Sequence, residues 1–108
     1  MDPAYISELN REVPLARPGE FAPLRIGPLA VDPPVVLAPM AGVTNPPFRS
    51  LCRAFGAGLY VSEMITARPL VDGNPKTELL ASFSPDESIR SLQLYGVDPH
   101  YVGEAVRI

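Results

Sequence analysis

The chain has 108 residues, 46% of them hydrophobic, with 9 basic against 12 acidic side chains and a formal net charge of −3. That composition is globular rather than disordered, no apolar run approaches the roughly 18 residues of a membrane span, and the acidic balance leaves no electrostatic footprint for nucleic acid. One cysteine, Cys52, excludes an internal disulfide framework and a multi-cysteine zinc site; with no basic-then-apolar leader, the expected location is the cytosol.

Residues 1–23 read as a flexible N-terminal extension, because Pro14, Pro18, Gly19 and Pro23 break every pattern there. Residues 24–108 read as the structured part. Leu24–Ile26 and Leu29–Val31 flank Gly27-Pro28, which predicts a short β-hairpin. Val35-Val36-Leu37-Ala38 is a continuous apolar run with the character of a strand buried on both faces. Pro39 ends it, and Met40–Thr44 form a loop. Asn45 stands at an N-cap with Pro46 in the first helical position, so a helix is expected from Pro46 to about Phe55. Phe48, Leu51, Cys52 and Phe55 make its apolar stripe, Arg49 and Arg53 its solvated face, and Gly56 a left-handed cap.

Leu59–Ser62 is a second buried-type strand, with Glu63 and Met64 at its C-terminal end. A short helical turn is expected over Thr66–Leu70. Asp72-Gly73-Asn74-Pro75 is a turn, and Lys76–Ala81 a helix with Leu79 and Leu80 facing inward. Ser91–Tyr95 is the third strand, closed by Gly96. Asp98-Pro99 repeats the cap-plus-proline start and opens a last helix that is expected to run to Ile108. A βαβαβα series favours an α/β fold with a parallel sheet. Periodicity alone suits a (β/α)₈ barrel and a doubly wound sheet equally.

In either fold, ligands bind where strands end. Pro39-Met40-Ala41-Gly42 is either a tight turn that needs Gly42 or small-residue backbone that lets a planar ligand approach. Glu63 is either a polar group at the site or a solvated residue. Gln93, between Leu92 and Leu94, either points inward or faces water on an edge. Its amide would suit the imide-like edge of a pyrimidine or flavin ring. Cys52, on an apolar stripe, reads as a buried, inert thiol. His100 reads as a surface residue at a helix start. No phosphate loop, Gly-x-Gly-x-x-Gly or metal-spaced cluster occurs.

Three segments together resemble the tRNA-dihydrouridine synthase family, bacterial type: Ala38-Pro39-Met40-Ala41-Gly42-Val43-Thr44-Asn45 with Pro47-Phe48-Arg49, then Gly56-Ala57-Gly58 through Val61-Ser62-Glu63-Met64, then Leu92-Gln93-Leu94-Tyr95-Gly96 with Asp98-Pro99. The resemblance implies a flavin-dependent (β/α)₈ TIM barrel, of which residues 24–108 would be the N-terminal part: the first three βα units, preceded by the hairpin. It implies FMN as cofactor, NADPH as reductant, and reduction of the uridine C5–C6 bond in tRNA. By position, Pro39, Met40 and Ala41 would line the flavin ring, and Gln93 would hydrogen-bond it. The family's catalytic cysteine follows the fourth strand in an Asn-x-Gly-Cys-Pro setting that this sequence does not contain, so Cys52 does not inherit its role. Two other readings stand beside this one: a non-catalytic α/β ligand-binding or interaction module, and part of another flavin-dependent barrel oxidoreductase.

Overall fold

The computed structural model describes residue 8, residues 11–14 and residues 17–108. The extension reading of residues 1–23 therefore falls partly outside the described residues. Near its end, the Gly19 N–H donates to Asp32 Oδ1 at 3.0 Å.

The order of elements is that of an α/β chain: β1 (Leu24–Ile26), β2 (Leu29–Val31), β3 (Val36–Leu37), α1 (Pro46–Arg53), β4 (Leu59–Tyr60), β5 (Ile65–Thr66), α2 (Ala67–Val71), α3 (Pro75–Leu80), β6 (Leu94–Tyr95) and α4 (Pro99–Val106). The hairpin forms as expected: β1 and β2 pair antiparallel, Leu24 opposite Val31 and Ile26 opposite Leu29. Parallel pairing follows. β3 lies beside β4 in the register Val36–Leu59, and β5 lies beside β6 in the register Ile65–Leu94. A parallel bridge between Val61 and Ser91 joins the two ladders. The extended run Leu59–Thr66 thus lies between the other two, touching the first with its start and the third with its end. Three two-stranded sheets result rather than one, and the described residues close no barrel. This strand order is shared by a barrel wall and by half of a doubly wound sheet.

Local chemistry sets the helix starts. Asn45 Oδ1 accepts from the Phe48 N–H at 3.0 Å, Asn74 Oδ1 from the Thr77 N–H at 3.1 Å, and Asp98 Oδ1 from the His100 N–H at 2.9 Å. Each is followed by proline at the first helical position, where a missing N–H costs nothing. α1 stops at Arg53, two residues short of the expected end. Tight turns carry the chain on, with the Phe55 N–H on Cys52 O and the Gly56 N–H on Arg53 O, and Gly56 reverses it at φ +87°. α4 ends at Val106 instead of running to Ile108. The turn expected over Thr66–Leu70 is α2, displaced by one residue.

The core sits in the second half. Ile65, Ala67, Leu70 and Ala105 form it, with Leu80, Leu92, Leu94 and Val102 packed against it. Two expectations about burial fail. Val35 and Val36 are 46% and 43% exposed, so the first strand is not covered on both faces. Leu79 is 71% exposed, while Leu80 alone of that pair turns to the core. Consecutive helical positions are about 100° apart, and so short a helix presents only one of them inward.

Candidate functional site

The loop after β3 is a compact turn. The Val43 and Thr44 N–H groups both donate to Met40 O at 3.0 Å. Thr44 closes it a second time: its Oγ1 accepts from the Met40 N–H at 3.0 Å and donates to Met40 O at 3.1 Å. Gly42 has φ +71°, a left-handed conformation that glycine adopts without strain. The N–H groups of Ala41 and Gly42 have no partner among the described residues. Pro39, Met40, Ala41 and Gly42 are exposed.

From this turn a chain of hydrogen bonds crosses to the third strand. Thr44, fully buried, accepts through its carbonyl from the Glu63 N–H at 3.3 Å. Ser62 Oγ donates to Glu63 O at 2.9 Å and accepts from the Gln93 N–H at 3.1 Å. The Ser62 N–H donates to Ser91 O, and the Ile65 N–H to Gln93 O at 2.8 Å. The Met40 turn and Gln93 therefore share one end of the parallel strands, held by backbone and two hydroxyls. Gln93 itself is exposed. Ser62 does what its sequence position suggests, bonding nearby backbone. Glu63 is 7% exposed, which removes the reading of a solvated residue.

The largest departure from the sequence reading is Arg49. Its side chain is 0% exposed rather than on a solvated face. Nε donates to Glu87 Oε1 at 2.7 Å and Nη2 to Glu87 Oε2 at 3.0 Å, while Nη1 donates to Thr44 O at 2.7 Å. Nη2 also reaches Ser82 O at 3.1 Å, and Glu87 Oε2 accepts from the Ser84 N–H at 2.7 Å. The Phe83 ring lies 5.0 Å from the guanidinium carbon. Burial pushes the Glu87 carboxyl up, but the Arg49 hydrogen bonds, the Ser84 N–H and the charges of Arg49 and Arg53 outweigh it, and the net shift is downward. Arg53 is also drawn in from the expected solvated face: its side chain is 21% exposed, it pairs with Asp86 at 2.7 Å, and its Nη1 is buried with no partner among the described residues.

Sequence reasoning missed Thr44, Arg49 and Glu87. No local signal marked Arg49: its helical neighbours four residues away, Asn45 and Arg53, offer no acid, which is equally true of a solvated arginine. Cys52 is half-buried beside Val35, Leu37 and Phe55, and burial raises its thiol pKa, as an inert thiol requires. His100 is exposed. The described residues hold no cluster able to bind a metal ion and no helix long and apolar enough to cross a membrane.

Two main-chain N–H groups without partners among the described residues and one exposed amide thus lie along one edge of an α/β protein, where its parallel strands end. The chain belongs to the dihydrouridine synthase family, whose model, Dihydrouridine synthase (Dus), matches residues 36–108. It is 54% identical over 92 residues to a probable tRNA-dihydrouridine synthase of Mycobacterium tuberculosis, covering 79% of this chain and 24% of that protein. It is 48% identical over 90 residues to the probable tRNA-dihydrouridine synthase of Mycobacterium leprae, covering 59% and 23%. It is 45% identical over 84 residues to tRNA-dihydrouridine synthase B of Pseudomonas syringae pv. tomato, covering 78% and 25%. The chain thus spans about a quarter of the length of these relatives. No solved structure matches it significantly.

Proposed function

We propose that this chain provides the flavin-facing wall of an enzyme that reduces the C5–C6 bond of uridine in tRNA, built as the first three βα units of a (β/α)₈ barrel. FMN, reduced by NADPH, would supply the hydride. The residues present fit the ring: exposed Pro39, Met40 and Ala41 offer it a flat rim, and the Ala41 and Gly42 N–H groups offer donors. The Gln93 side chain both donates and accepts, matching an edge that carries carbonyls and an N–H. The observation that carries this reading is the hydrogen-bonded path from Met40 through Thr44, Glu63 and Ser62 to Gln93, which sets both segments on one edge.

None of these residues is an acid able to protonate uracil, and Cys52 does not serve: it lies on α1, lining an apolar pocket with Val35 and Phe55, and burial raises its pKa. The proton comes from outside this wall. tRNA is the substrate in this reading and the cytosol the compartment. The net charge of −3 gives no support for this chain as the part that holds the phosphate backbone.

The test joins this chain to the remainder of the Mycobacterium tuberculosis relative, in place of the quarter that aligns with it. The chimera is expected to purify yellow and to form dihydrouridine, seen by mass spectrometry of digested tRNA. Gln93→Ala should weaken FMN binding roughly tenfold, the loss of a hydrogen bond or two. Unchanged flavin affinity in Gln93→Ala defeats the reading.

A further inference from the structure

We infer that the Arg49–Glu87 pair is a clamp that fixes the Met40–Gly42 turn relative to Gln93, so that Arg49 and Glu87 are positioning residues for the flat ligand between them. The identity of that ligand rests on the flavin reading above; the clamp does not.

Taking a guanidinium and a carboxylate out of water is costly, and an apolar pair of similar volume would stabilise the chain as well or better. What the ion pair adds is direction. The Arg49 fork presents donors at fixed angles. Nε and Nη2 face the Glu87 carboxylate, and Nη1 faces Thr44 O. Thr44 is a node: its carbonyl takes Arg49 and the Glu63 N–H, and its hydroxyl bridges both backbone atoms of Met40. Moving Thr44 moves the unpartnered Ala41 and Gly42 amides. On the other side, Glu87 sits in the segment that leads to Ser91, whose carbonyl holds the Ser62 N–H, and Ser62 Oγ holds the Gln93 N–H. Both ring-facing segments therefore hang from one buried pair contributed by α1 and by the loop before β6.

Hydrogen exchange of the full chain tests this, comparing Arg49→Lys, Glu87→Gln, Thr44→Val and Thr44→Ser with the parent. Arg49→Lys and Glu87→Gln should speed exchange at the Met40, Thr44 and Glu63 amides roughly tenfold more than at the Asp72 and Val102 amides, which lie outside the clamp. Thr44→Val removes the hydroxyl while leaving the carbonyl contacts and the ion pair, and should free the Met40 amide; Thr44→Ser, which keeps the hydroxyl, should restore it. Should both ion-pair variants fail to fold, the double variant Arg49→Met with Glu87→Leu, which leaves no buried charge unpaired, decides at the same amides. Equal acceleration at every amide, or a Met40 amide unmoved in Thr44→Val, overturns the clamp. FMN titration followed by flavin fluorescence is run on the chimera described above and on the same substitutions placed in it. Binding by the parent and weaker binding by Thr44→Val supports the clamp's role toward the ring. A parent chimera that does not bind FMN refutes the flavin reading, and the exchange data still judge the clamp.

Discussion

Arg49 shows how one side chain changes what a helix face means. Four of its hydrogen bonds are to groups outside its own helix, and the partner carboxylate is 38 residues away. Arg49→Met strands Glu87, 5% exposed, without its counter-charge; the expected cost is about 3–5 kcal/mol, read from the urea midpoint. Replacing both, Arg49→Met with Glu87→Leu, should recover most of that loss. A double variant no more stable than the single one would contradict this account. The pair also fixes a pH dependence. Unfolded, Glu87 titrates near 4.5, and folding lowers that value. Its stabilisation is therefore complete above the ordinary carboxylate range and is lost as pH falls through the depressed value. The charges that act on it are Arg49 from α1 and Arg53 beyond it; Arg90 Nε donates instead to the Glu87 backbone carbonyl at 3.3 Å. Stability measured from pH 7 to pH 3 should fall less steeply in Glu87→Gln than in the parent. At this scale the site was half legible. Met40, Ala41 and Gln93 stood out because a strand end is a local property, while Thr44 and Glu87 gave no local sign of their role.

Elements obey rules that act over three to five residues, and these were the easiest to read. The three cap-plus-proline starts form where the sequence puts them, since an Asx oxygen and the N–H two or three residues on are neighbours in any conformation that begins a helix. Asn45→Ala should cost about 1 kcal/mol, and Asn45→Asp almost nothing, both measured by thermal melting. Gly58 is constrained differently. Its φ is ordinary, but a Cβ there would run into Pro33 O and come within 2.8 Å of Val31 Cγ1. Gly58→Ala forces the β2–β3 connection away from the start of β4, and a loss of about 1–3 kcal/mol is expected; a melt unchanged from the parent would show that the connection yields freely. Element ends were read less well than starts. α1 and α4 both finish two residues early, because their last turns are held by short backbone bonds rather than by a side chain with a recognisable signature.

The whole molecule keeps its core on one side. α2, α3, α4 and the β5–β6 pair share it, while Val35 and Val36 stay open on β3 and a cleft of about 660 Å³ opens between Leu70, Phe83, Leu92 and Ile108. Apolar surface of this kind drives association. Sedimentation of the 108-residue chain should therefore depend on concentration, with species heavier than 11.6 kDa at high loading; a single species of that mass at every loading would contradict the expectation. The sequence by itself determined the α/β order, the hairpin, the helix starts and the strand ends that carry Met40 and Gln93, because each follows from residues within a few positions of one another. Tertiary structure alone decided that Arg49 turns inward to Glu87, that Leu79 faces out, and that β3 is covered on one side only. Those outcomes depend on which distant segment arrives to meet a side chain, and neither composition nor spacing carries that information.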